Sequence, residues 1–90
     1  MNKKVYITDA SRTAVASLGK TLKEISAVDL GACVISNTIK RSKIKSSDVD
    51  EVIMGQVLTG GTGQNPARQS SIKAGLPKEK PAYVVNQVCG

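Results

Sequence analysis

The sequence predicts an α/β fold with parallel strands, and three observations lead to it. Short apolar runs rich in β-branched residues alternate with segments that carry helix-end signals. The order is strand, helix, strand, helix, strand, which favours parallel strands joined by right-handed helical crossovers. The middle strand contains the continuous apolar run "VIM", typical of strands covered on both faces. The predicted strands are 5–10, 51–58 and 82–88, and the predicted helices are 26–41 and 65–75.

The first strand, "VYITDA", is followed by a loop and then by the longer helix. Ser26 precedes Asp29 by three residues, which is typical of a helix N-terminus with an acidic first turn. Apolar or small residues cover much of the helix circumference, as expected for a helix packed inside a larger body. Cys33 lies in this stretch, and we expect it to be a buried, chemically inert residue.

The second half has equally clear element boundaries. The stretch "KSSDVD" predicts a turn or a single helical turn before the second strand. A glycine-rich loop follows, and then Asn65 as N-cap, Pro66 at the first helical position and Gly75 at the carboxyl end of the second helix. The third strand leads into Cys89.

Length and composition predict a small or incomplete domain. A chain of 90 residues with 40% hydrophobic content is globular in character. It contains no Trp or Phe, so its core must be built from Val, Ile, Leu and Ala. Chains this short bury only about 60–65% of their unfolded surface, so stability should be marginal.

The net charge of +6 raises the question of nucleic-acid binding. The lysines are spread along the chain, and the only cluster, "KRSKIK", falls where the first helix should end. Cations there complement the helix dipole. Aromatic stacking platforms are absent, so we expect no nucleic-acid partner.

Targeting and metal signals are also absent from the sequence. The start has a three-residue apolar run, too short for a signal peptide, and no stretch approaches the roughly 20 apolar residues of a membrane span. We therefore expect a cytoplasmic protein without a membrane partner, with reduced thiols. With no His and two distant Cys, we expect no metal site.

The loop "GQVLTGGTGQNPAR" approaches two phosphate-binding patterns without satisfying either. The P-loop pattern lacks its lysine, and Pro66 stands at the third glycine of the dinucleotide pattern. Glycines for tight turns remain the simplest interpretation. Alternatively, the loop lies beside an active site and presents a polar group such as Gln64 or Asn65.

Cys89 is the remaining candidate for chemistry. It follows the third strand, and open α/β sheets bind ligands beyond the carboxyl ends of their strands. An ordinary thiol is mostly protonated at neutral pH, so a cysteine nucleophile needs a partner base, usually histidine. The chain has no histidine. Either Cys89 is not a nucleophile, or its base lies outside these residues.

Three motifs in order resemble the thiolase family, in particular its biosynthetic acetyl-CoA acetyltransferase branch. They cover nearly the whole chain: "ITDASRTAVASLGKTLKEISAVDLG", "VIMGQVLTGGTGQNPARQSSIKAGLP" and "VNQVCG". One departure is Ala16 at a usual glycine, in a predicted loop. The resemblance implies a layered α/β/α/β/α fold. Residues 1–90 would supply the first β-α-β-α-β part of its N-terminal half, ending at the nucleophile motif.

The resemblance also implies a reaction and its residues. Cys89 would be the acyl-accepting nucleophile in the condensation of two acetyl-CoA to acetoacetyl-CoA and CoA, or in the reverse thiolysis. The family's histidine and second cysteine belong to its carboxyl-terminal half, and Cys33 does not match the second cysteine. Gln64, in the matched loop, would be an active-site neighbour. Coenzyme A thioesters would be substrates, with no permanently bound cofactor.

Further expectations follow from the same resemblance. The intact protein should be a homotetramer, and the 90-residue piece alone should be inactive. Two alternatives stay open: a degradative 3-ketoacyl-CoA thiolase, and a non-catalytic basic α/β binding module.

Overall fold

The computed structural model describes residues 3–90, and its elements confirm the α/β class. In chain order they are helix α1, a single 3₁₀ turn, strand β1, helix α2 and strand β2. Their bounds are Ala27–Ser42, Ser46–Asp48, Val52–Gly55, Pro66–Lys73 and Ala82–Val85. The 3₁₀ turn lies within the stretch predicted as a turn.

The two strands form a parallel sheet, as the alternation of strands and helices predicted. The register pairs Val52 with Ala82 and Gly55 with Val85. The Gln56 backbone N–H donates to the Val85 carbonyl at 3.1 Å, which extends the pairing beyond β1. Both strands therefore end at the same edge of the sheet.

Both helices begin at the capping residues that the sequence indicated. The Ser26 hydroxyl accepts a hydrogen bond from the Asp29 N–H at 3.0 Å, and the Asn65 side chain accepts one from the Arg68 N–H at 3.1 Å. These side chains satisfy amide donors that have no partner inside the helix. Gly75 follows α2 with φ +90°, a conformation that favours glycine.

The core lies where α2 packs against α1 and against the two strands. Its buried apolar side chains are Val28, Val52, Ala67 and Leu76. Buried Ser70 donates from Oγ to the Val28 carbonyl at 2.9 Å, which ties the two helices together. Gly31 lets the helices approach closely, because a Cβ there would lie 2.7 Å from Ser70 Oγ.

The predicted first strand is not formed. Residues 5–10 have no regular secondary structure, and Val5 and Ile7 are 95% and 92% exposed. A strand needs a neighbouring strand for its backbone hydrogen bonds, and none in residues 3–90 pairs with this segment. Polar contacts hold the end of this segment to α1. Asp9 Oδ2 lies 3.2 Å from Arg41 Nε, and the hydroxyls of Ser11 and Thr38 are hydrogen-bonded.

The prediction that Cys33 is buried is also wrong for this chain. Cys33 is exposed, and α1 buries only Val28 and Gly31. One face of the sheet is likewise open, with Ile53 52% and Tyr83 45% exposed. The apolar patterns predicted more covering layers than residues 3–90 contain. No helix in the described part of the chain is long and apolar enough to cross a membrane.

Candidate active site

Cys89 lies in an exposed turn just past the carboxyl end of β2. The Gly90 N–H donates to the Gln87 carbonyl at 2.7 Å and closes this turn around Val88 and Cys89. Val88 has φ +44°, which is unusual for a β-branched residue. The thiol therefore stands at the sheet edge where the sequence placed it, on a conformationally restrained turn.

The side chain of Asn86 connects this turn to the segment that follows β1. Its Oδ1 accepts from the Val88 N–H at 3.3 Å, and its Nδ2 donates to the Val57 carbonyl at 3.3 Å. One amide thus joins the ends of both strands. The sequence analysis did not single out Asn86, although asparagine commonly bonds its own backbone two residues on in turns.

Gln64 lies in the bend before α2, and its carbonyl accepts from Gln69 Nε2 at 2.9 Å. The next residue, Asn65, donates from Nδ2 to the carbonyl of Ala82 at 3.0 Å. Ala82 begins β2, whereas Cys89 follows its end. The hydrogen bonds of residues 3–90 do not connect Gln64 with Cys89, so its place beside the cysteine stays a prediction.

The shortest of the ion pairs found in residues 3–90 joins the two helices. Lys73 Nζ donates to Asp29 Oδ1 at 2.6 Å across the gap between α2 and α1. This hydrogen bond, the Ser26 hydroxyl and the lysine charge lower the pKa of Asp29 below its ordinary value of 3.8. The pair joins two helices, and the hydrogen bonds of residues 3–90 do not connect it with the cysteine turn.

Two grooves open on the surface of the described residues, and neither is lined by Cys89 or Gln64. One, of about 420 Å³, lies between the amino-terminal segment and α1 and includes Arg12 and Cys33. The other, of about 330 Å³, lies between the start of α1 and the glycine-rich loop and includes Lys73. The Cys89 thiol therefore lies outside both grooves.

The chain supplies a thiol but not the groups that would assist it. The sequence has no histidine, and residues 3–90 contain no group of three His, Cys, Asp or Glu placed to hold a metal ion. The other cysteine, Cys33, lies on the first helix. A histidine base for Cys89 could come only from outside these residues.

Comparison with known proteins decides the family. The model of the thiolase N-terminal domain matches residues 5–90. The chain belongs to the thiolase family. The resemblance of the three sequence motifs is thereby confirmed, and with it the interpretation that the two strands and two helices are part of a thiolase fold.

Several curated relatives of this thiolase segment are acetyl-CoA acetyltransferases. The enzyme of Cupriavidus necator is 56% identical over 86 residues, which is 96% of this chain and 22% of that protein. The enzyme of Escherichia coli is 52% identical over 88 residues, 98% of this chain and 22% of that protein. The chain therefore spans less than a quarter of the length of these relatives.

A solved structure agrees with both the fold and the family. A thiolase from Ascaris suum, crystallised in complex with coenzyme A, superimposes with a TM-score of 0.94 at 49% identity. The match covers 97% of this chain and 23% of that one. Residues 3–90 thus have a thiolase-like arrangement even where hydrogen-bonded strand partners are missing.

Proposed function

We propose that this chain is the nucleophile-bearing segment of an acetyl-CoA C-acetyltransferase. The observation that carries the proposal is the exposed thiol of Cys89 on a restrained turn at the carboxyl edge of the sheet. Its context is a thiolase segment 56% identical to the Cupriavidus necator acetyl-CoA acetyltransferase. Coenzyme A in the Ascaris suum thiolase structure supports coenzyme A thioesters as substrates.

The proposed chemistry is a two-step acyl transfer. The Cys89 thiolate attacks the thioester carbonyl of acetyl-CoA; the bond from carbon to cysteine sulfur forms, and the bond to coenzyme A sulfur breaks. The released coenzyme A thiolate takes up a proton. A second acetyl-CoA, deprotonated at its methyl carbon, then attacks the acetyl-enzyme, and the Cys89 thiolate leaves as acetoacetyl-CoA forms.

Covalent catalysis by Cys89 needs help from the rest of the protein. A base must generate the thiolate, and hydrogen-bond donors must stabilise the oxyanion in each step. This chain has no histidine, so the base is expected downstream. Gln64 as an active-site neighbour, assembly into a homotetramer and a cytoplasmic location remain predictions.

The test uses a chimera in which residues 5–90 of this chain replace the matched segment of the Cupriavidus necator enzyme. We expect the chimera to form acetoacetyl-CoA and to retain a radioactive acetyl group from acetyl-CoA on Cys89. Cys89→Ser should abolish both, because serine is a far weaker nucleophile without strong activation. The matched control is Cys33→Ser, which changes the other exposed cysteine and should leave labelling and turnover intact.

The results separate the proposal from its alternatives. A folded chimera that is not labelled, or labelling that survives Cys89→Ser, would overturn it. A second graft of residues 52–90 guards against misfolding of the first, and failure of both to fold would also contradict the assumed placement. Faster thiolysis of a long-chain 3-ketoacyl-CoA than of acetoacetyl-CoA would favour a degradative thiolase. Salt-dependent nucleic-acid binding that persists in Cys89→Ser would favour a basic binding module.

A further inference from the structure

We infer that Asn86 is a positioning residue that fixes the backbone of the Cys89 turn for acyl transfer. The inference rests on the proposed role of Cys89 as the nucleophile and adds a second residue to that site. Asn86 is three residues before the cysteine and one residue past the end of β2.

The first argument is the number and direction of its hydrogen bonds. The Asn86 amide uses its acceptor toward the Val88 N–H and its donor toward the Val57 carbonyl, both at 3.3 Å. Val57 follows β1, which is already paired to β2 through the Gln56 N–H and the Val85 carbonyl. The amide therefore holds the cysteine turn against an ordered part of the sheet, and an orientation fixed in this way lowers the entropic cost of reaction.

The second argument is the backbone conformation of Val88. At φ +44° a β-branched residue is strained, and a strained residue persists only where its surroundings enforce the conformation. Two hydrogen bonds act directly on this turn: Asn86 Oδ1 accepts from Val88, and the Gly90 N–H donates to Gln87. Without Asn86, Val88 is free to relax to negative φ and to turn Cys89 away from its present direction.

The third argument is chemical, because both bonds require an amide. Aspartate has almost the same shape and can accept from the Val88 N–H, but an ionised carboxylate cannot donate to the Val57 carbonyl. Asn86→Asp therefore removes only the hydrogen bond to the Val57 carbonyl, whereas Asn86→Ala removes both hydrogen bonds. The two variants separate anchoring of the turn from its internal geometry.

The experiment measures the single-turnover rate of Cys89 acetylation by acetyl-CoA in the chimera defined above. A misplaced nucleophile loses up to about 100-fold in rate, so we expect a 10- to 100-fold slower acetylation in Asn86→Ala with the KM for acetyl-CoA changed less than threefold. The matched control is Asn37→Ala on α1, which removes an amide bonded to the carbonyl of the other cysteine, Cys33, at 2.8 Å. It should leave the rate unchanged.

A rescue separates positioning from a merely structural role. Val88→Gly removes the strain, since glycine adopts positive φ without steric cost. Added to Asn86→Ala, it should recover part of the acetylation rate although it adds no contact, and the comparison is made between variants whose circular dichroism and gel-filtration profiles match. Acetylation at the unsubstituted rate in Asn86→Ala, or the absence of any rescue, would overturn the inference.

The inference and the proposed function fail in different ways. If Cys89→Ser keeps its label, the proposed function falls. If Cys89→Ser loses its label while Asn86→Ala reacts at the full rate, only the positioning role falls. Circular dichroism and gel filtration of each variant identify a rate lost through misfolding, and Asn86→Asp then provides the near-isosteric comparison.

Discussion

The amino-terminal segment at residues 5–10 and strand β1 have similar apolar, β-branched sequences but different structures. Val5 is 95% exposed and its segment has no strand pairing, whereas Val52 is 8% exposed and pairs with Ala82. Strand β1 has β2 beside it and α2 packed on the pair, and residues 5–10 have neither. An apolar, β-branched run thus marks a segment that can form a strand. It forms one only where a neighbouring strand is present to pair with its backbone.

The similarity to the Ascaris suum thiolase shows what the amino-terminal segment lacks. The match covers 97% of this chain with a TM-score of 0.94, so its path is thiolase-like, but the chain spans only 23% of that protein. A strand partner for residues 5–10 is not among residues 3–90. We therefore expect its partner to come from the part of the thiolase fold that these residues do not include.

The largest expected effect comes from making one substitution in both regions. Leu76, which follows α2, is 5% exposed, whereas Leu18 in the amino-terminal region is fully exposed. Truncating a buried leucine to alanine typically costs about 2–5 kcal/mol, enough to unfold much of a chain this short. Leu18→Ala should change nothing measurable. Urea unfolding of the 90-residue chain, followed by far-ultraviolet circular dichroism, compares them. Equal losses would show that the amino-terminal region also packs.

A smaller effect is expected where α1 meets α2, at Gly31. Alanine there places its Cβ 2.7 Å from Ser70 Oγ, so the hydrogen bond from Ser70 to the Val28 carbonyl has to shift. Overpacking costs about 1–3 kcal/mol, and the better helix propensity of alanine offsets about 1 kcal/mol. We expect a net destabilisation of about 0–2 kcal/mol in the same urea experiment.

Ser36→Ala on the exposed part of α1 is the control for helix propensity. The Ser36 side chain is exposed, so the substitution should be neutral or slightly stabilising. A stabilised Gly31→Ala variant would mean that the helices can separate at no cost, and that the close approach does not define the packing.

Short-range sequence signals were enough to predict where the two helices begin. They were not enough to predict the arrangement around Cys89. Ser26 and Asn65 fix the helix starts through hydrogen bonds within three residues, so their sequence neighbourhood contains the information. Whether residues 5–10 form a strand and whether Cys33 is buried both depend on which other segments pack against them. The local sequence pattern does not contain that information. The sequence places Cys89 at a strand end, but it could not indicate the role of Asn86. That role depends on a positive φ at Val88, which valine disfavours, and on a carbonyl 29 residues away.

The smallest expected effect concerns the pair Asp29 and Lys73, which joins the helices at the surface. Both side chains are more than half exposed, and exposed pairs contribute little. The lysine lowers the folded-state pKa of Asp29 below 3.8, so the stabilisation is fully present above pH 3.8 and is lost as the pH falls through the lower folded-state pKa. Lys73→Gln should therefore raise the pKa of Asp29 and reduce the stability that is lost as the pH falls.

The control is Lys78→Gln, which removes the same charge from an exposed residue outside the ion pairs of residues 3–90. An equal change of the Asp29 pKa in both variants, measured by NMR titration, would assign the shift to overall charge instead of the contact.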